Sequence, residues 1–173
     1  MFTRLAIFFG VSAVVLAAHK FGHYAVGRWV VGIPAAEIRP IVANLPPHIG
    51  LRDGDQWVSP ATFEAYLAAY HDHDPELGRL PAYLAAGELT QTLAVVGLAG
   101  LGVASGAVIV AQSAILFSAM LVAYHLFADL GSNLHLGTPT GDFSGLWYYS
   151  PAAAALAFLL VVVPHAILYA VFI

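Results

Sequence analysis

Four apolar stretches, roughly residues 5–31, 81–103, 107–130 and 151–172, dominate the chain. Each is long enough to cross a bilayer, which takes about 20 apolar residues in a helix. Hydrocarbon cannot hydrogen-bond to a backbone, so such stretches must satisfy their N–H and C=O groups internally, as helices do. The chain is 60% hydrophobic and 9% charged, against about 25% charged in a soluble domain. Together these features predict an all-α integral membrane protein, multi-pass, built as a single domain over residues 1–173. The first stretch follows Arg4 and ends near "VLAAHK", a small-residue pattern that a cleaved secretory signal also shows. Helical character continues through "HKFGHYAVGRWVVG", so a retained helix is expected.

The chain has no cysteine, which excludes disulfides and thiolate metal sites. Any metal must be held by His, Asp or Glu. The formal net charge is -4 without a basic tract, so nucleic acid is not an expected partner. The lipid bilayer is.

Two long connections separate the helices. Residues 33–79 begin with short β-prone runs broken by Pro, Gly and Asp, which predict a small β-rich insertion. Within it, "LRDGDQW" resembles the start of a calcium loop but lacks the distal glutamate, and a β-turn at Asp53-Gly54 is expected. "SPATFEAYLAAYHDHD" reads as a short amphipathic helix. Ser59 stands at its cap, and Phe63, Tyr66, Leu67 and Tyr70 share a face suited to the membrane surface. His71 and His73 belong to a solvated turn or a surface metal site. Residues 131–150 are polar and turn-rich and end in Trp147, Tyr148 and Tyr149, residues that favour a membrane interface. Arg28, Arg39, Arg52 and Arg79 flank or occupy the first long connection, with only Arg4 on the other side. Positive-inside bias therefore places residues 33–79 in the cytoplasm.

His19 and His23 are four residues apart near the cytoplasmic end of the first helix. Four residues are slightly more than one turn, so both face one way and can hold one metal. The plain alternative is two hydrogen-bonded histidines in a bundle. Inside a membrane, however, such groups usually mark a site. The third helix ends on the same side, and Asp129, Asn133, His135 and Asp142 lie at or after its end. A third ligand can thus reach the histidines without crossing the bilayer. Two imidazoles and a carboxylate leave a fourth zinc position open, as a catalytic site requires.

"HKFGHYAVGRWVVGIP" resembles the first core helix of the site-2 proteases, the intramembrane zinc metalloproteases, which read roughly H-E-x-G-H-x-x-x-A/G-R-x-x-G-I/V-P. "LAAGELTQT" is similar to their second-helix A-G-P-x-x-N/Q segment, and "SNLHLGTPTGDFSG" resembles their N-x-x-P…D-G motif. The three matches occur in order. The resemblance implies one zinc ion held by His19, His23 and Asp142, with Asn133 near the site. It also implies a sheet from residues 35–58 that pairs with an extended membrane-protein or peptide substrate. The implied location is the plasma membrane of a prokaryote.

The departure is Lys20, the only lysine, which occupies the place of the motif's general-base glutamate. A protonated amine cannot take a proton from water, so Lys20 argues for an inactive pseudoprotease with a membrane binding or regulatory role, or for an engineered variant. A neutral lysine acting as base is a further option. Glu88 stands where the family has proline and is the candidate substitute base. It is expected either to pair with Lys20 inside the bundle or to face water at the headgroups. His125 and His165, in helices three and four, offer a rival bis-histidine haem site. Gln91, Gln112 and Asn133 are candidate interhelical hydrogen-bond partners.

Overall fold

A computed structural model describes residues 2–43, 47–139 and 141–173. Positions 44–46 of the expected insertion, and Thr140 between the motif's proline and aspartate, lie outside them. The chain forms α1 (Phe2–Val26) with a π-helical turn (Gly27–Val31), then strands β1 (Ile38–Ile41), β2 (His48–Asp53) and β3 (Gln56–Val58). There follow α2 (Phe63–His71), α3 (Leu80–Ala104), α4 (Val108–Tyr124) with a π-helical turn (His125–Asp129), α5 (Leu130–Leu136), α6 (Asp142–Tyr149) and α7 (Pro151–Phe172). Four helical runs, Phe2–Val31, Leu80–Ala104, Val108–His135 and Pro151–Phe172, are long and apolar enough to cross a membrane.

The long helix α3 is the central one. Residues 83–88 of its first turns are buried on every side, while farther along only Gln91, Thr92, Val95, Ala99 and Gly102 are, on one stripe. The other three long helices pack around it. Gly22 of α1 meets α3 so closely that a Cβ there would stand 2.6 Å from Thr90 Oγ1. Small residues at such crossings let helix backbones approach, the usual device where lipid gives helices no hydrophobic reason to associate.

The insertion is an antiparallel sheet in the order β1-β2-β3. Its second connection is the expected tight turn: Asp53 pairs with Gln56, and Gly54 takes φ +56°, a left-handed conformation that glycine adopts without strain. Ile38, Ile49 and Leu51 of the sheet are buried. The expected short helix is present as α2, but its cap position is Thr62. Ser59 instead makes a turn, accepting the Ala61 N–H at 3.2 Å. The α2 face carrying Tyr66 and Tyr70 is not turned to a membrane surface. It packs on protein, with Tyr66 Oη donating to the Ile49 carbonyl at 3.0 Å and lying 2.6 Å from Tyr83 Oη.

Residues 131–150 are not a turn-rich connection. The third spanning run continues through the π-helical turn into α5, and α6 follows after a short break. The cause is tertiary. Asp129 accepts the Ser144 N–H at 2.9 Å and the Ser144 hydroxyl, which caps the start of α6 from a neighbouring element. The two approach so closely at Gly141 that a Cβ there would lie 2.9 Å from Asp129 Cγ.

Candidate metal centre

His19 and His23 lie on one face of α1, as their spacing requires, and both are buried. Asp142, the first residue of α6, is brought to them by the Asp129 cap and the packing of α6 on α3 and α7. The three candidate ligand atoms form a compact triangle. His23 Nε2 is 3.3 Å from His19 Nε2 and 2.9 Å from Asp142 Oδ2, and His19 Nε2 is 3.5 Å from the same oxygen. Ligands about 2.0–2.1 Å from a tetrahedral ion stand about 3.3–3.4 Å apart, so the triangle has the size that an ion requires.

The other ring nitrogens are also committed. His19 Nδ1 lies 3.1 Å from Gln91 Oε1, and His23 Nδ1 lies 2.9 Å from the Tyr83 carbonyl. Both acceptors are carbonyl oxygens, so each Nδ1 carries a proton and donates it. Both Nε2 lone pairs then face one another and a carboxylate. That concentration of negative potential calls for a cation, and tying the outer nitrogen of a ligating histidine in this way is the common support for a metal. Burial pushes the Asp142 carboxyl up, but the adjacent His23 and His19 override it and hold it well below 3.8.

Gly87 makes the arrangement sterically feasible. It places the backbone of α3 directly against the two imidazoles, and a Cβ there would lie 2.8 Å from His19 Nε2. One side of the centre opens on a cavity of about 450 Å³, lined among others by Lys20, His48, Tyr66, His125 and Asp129.

Glu88 is neither in water nor paired with Lys20. It is 1% exposed. Its Oε1 bonds His125 Nδ1 and lies 3.9 Å from His19 Nδ1, and its Oε2 has no hydrogen-bond partner. The preference is geometric: Lys20 points to the cavity, whereas His125, at the start of the π-helical turn, is within direct reach. His19, Glu88 and His125 form a second group compact enough to hold a cation.

Asn133 is not brought to the centre. It sits on α5, half-buried, its carbonyl accepting the Gly137 N–H at 2.8 Å, and it does not line the cavity. His125 and His165 do not form a pair. His165 Nε2 lies 2.7 Å from Ser118 Oγ, whereas His125 is held by Glu88. His73 pairs with Glu37 at 3.4 Å. Gln91 and Gln112 do bond across helices, to Ser118 Oγ at 2.7 Å and to the Phe172 carbonyl at 2.9 Å.

The sequence did not reveal Ser118, the Tyr83 carbonyl or the His125–Glu88 pair as parts of the site. Each acts across helices, and no spacing along one helix encodes that. The one usable signal was the rarity of ionisable residues in apolar stretches, which marks Glu88 and His125 separately. No family model matches the chain, and neither the curated proteins nor the solved structures give a match.

Proposed function

We propose that the protein is an integral membrane zinc hydrolase resembling the site-2 proteases, acting on membrane-spanning peptide segments, with residues 33–79 on the cytoplasmic side. The observation that carries this is the triangle of His19 Nε2, His23 Nε2 and Asp142 Oδ2, with both Nδ1 protons already donated to carbonyl oxygens. These three residues would hold the ion. Bound there, it would polarise a scissile carbonyl and lower the pKa of water. The cavity beside the centre is rimmed by the start of β2 and suits an extended chain laid along the sheet.

His125 and Glu88 take the part of the missing glutamate. Glu88 holds the Nδ1 proton of His125, which leaves Nε2 of a cavity-lining ring to accept a proton. Glu88 is a positioning residue in that pair, as carboxylates behind catalytic histidines are. Lys20 lines the same cavity as a cationic donor, suited to the oxyanion that develops on a peptide carbonyl.

Lys20 also favours a second reading, a non-catalytic binding protein on the same scaffold. Zinc content and cleavage of a single-pass substrate separate the two. About one zinc per chain is expected, lost in His19→Ala and Asp142→Ala. Cleavage should vanish in His23→Ala and fall about 10²–10⁴-fold in His125→Phe. Zinc without cleavage supports the binding protein. Absence of zinc from the unaltered protein removes both the metal and the hydrolase.

A further inference from the structure

A buried polar chain crosses the bundle from α7 to the metal centre. It runs from the Val161 carbonyl to His165 Nδ1 at 2.7 Å, from His165 Nε2 to Ser118 Oγ at 2.7 Å, and from Ser118 Oγ to Gln91 Nε2 at 2.7 Å. It then passes from Gln91 Oε1 to His19 Nδ1 at 3.1 Å. One residue comes from each of the four long helices. His19, Gln91 and Ser118 are fully buried and His165 is 7% exposed.

The direction of every bond follows from one end. A carbonyl only accepts, so neutral His165 carries its proton on Nδ1. Its Nε2 is then an acceptor, and the Ser118 hydroxyl must donate to it. The Ser118 oxygen in turn accepts from the Gln91 amide nitrogen, which fixes the side-chain amide with Oε1 toward α1. Only a protonated His19 Nδ1 satisfies that oxygen. The proton of His19 is thereby excluded from Nε2, the atom that faces His23 and Asp142. Glu88 Oε1, 3.9 Å from His19 Nδ1, biases the proton the same way.

We infer that Ser118 and His165 are positioning residues for the metal centre, which through Gln91 hold His19 in the tautomer that can ligate. This rests on His19 being a ligand. Neither residue touches the cavity, and neither belongs to a motif that resembles the site-2 proteases. Bonds behind a metal-ligating histidine are worth about 10–100-fold in affinity.

The test combines zinc titration with the tautomer of His19, read by long-range ¹⁵N–¹H correlation in metal-free, detergent-solubilised protein. Ser118→Ala and His165→Leu are each expected to weaken zinc about tenfold or more and to populate the Nε2–H form of His19. Ser118→Thr, which keeps the hydroxyl, should bind as the unaltered protein does. The double variant should be no weaker than the weaker single, because the two residues act in series. Unchanged affinity and tautomer in both singles would overturn the inference, as would a Ser118→Thr loss equal to that of Ser118→Ala. If Ser118→Ala does not fold, His165→Leu decides alone. If the unaltered protein binds no zinc, the proposed function fails, yet the tautomer in metal-free protein still decides whether the chain acts.

Discussion

The two halves of the bundle are packed by different means. At one end Val11, Val15, Val95, Ala114 and Ile115 form a small aliphatic cluster with no polar member. At the other end the buried cluster includes Tyr66, Tyr70 and Tyr83 together with the sheet, and it lies against the histidine centre. The aliphatic half needs only shape, and lipid on its outer face is as apolar as its interior. The other half must place hydroxyl, imidazole and carboxylate groups at bonding distance, so each position there tolerates few side chains. Membrane span and chemical site are therefore specified by separate rules within the same helices.

Substitutions in the two halves should diverge accordingly. The largest effect is expected at Gly87, where a methyl group has no space beside the imidazoles. Gly87→Ala should lose zinc by more than about 100-fold and cost roughly 1–3 kcal/mol from overpacking, seen in metal content and thermal unfolding. A Gly87→Ala protein with normal zinc would break the claim that α3 is pressed against the ligands. Next comes Tyr66→Phe, which removes the bonds to the Ile49 carbonyl and Tyr83. It should destabilise by about 1–2 kcal/mol by denaturant titration, while leaving zinc content intact.

Alkaline pH should act on the same half. Burial raises the Tyr66 and Tyr70 phenols above 10.0, reinforced by Tyr83 for the first and by Asp74 for the second. Stability is fully present below pH 10 and is lost as pH rises beyond it, because the unfolded chain ionises these groups first. Absorbance at tyrosinate wavelengths should therefore lag for two phenols and rise with unfolding. Early titration of all tyrosines would contradict their burial. The smallest effect belongs to the apolar half: a Cβ at Gly97 meets nothing within 4 Å. Gly97→Ala should be neutral or stabilising by up to about 1 kcal/mol, since alanine is the better helix former.

The same division explains what the sequence made legible. The fourth span, Pro151–Phe172, was readable to the residue, because hydropathy and a helix-start proline determine it locally. His19 and His23 were legible because one helix turn relates them. The helices α5 and α6 were not, since polar residues 131–150 gain their order from the Asp129 cap, a contact made across the chain. Glu88 was recognised as anomalous, but its partner was not, because both Lys20 and His125 are plausible until the helices are oriented. Asn133 was drawn to the site by resemblance alone, and the turn of α5 carries it away.

The π-helical turn at His125–Asp129 has a consequence for mutation by length. In such a turn, residues four apart come nearly into line, so His125 and Asp129 both reach the cavity. It holds one residue more than an α-helix would need. Deleting a single residue between 125 and 129 would let an ordinary helix form and rotate everything beyond it by about 100°. The cap on Ser144 would swing off, and Asp142 with it, although no ligand had been replaced. A deletion of the same size in the apolar half of α4 would merely present another aliphatic side to lipid. Over these five residues, chain length is as much a determinant of the centre as any side chain.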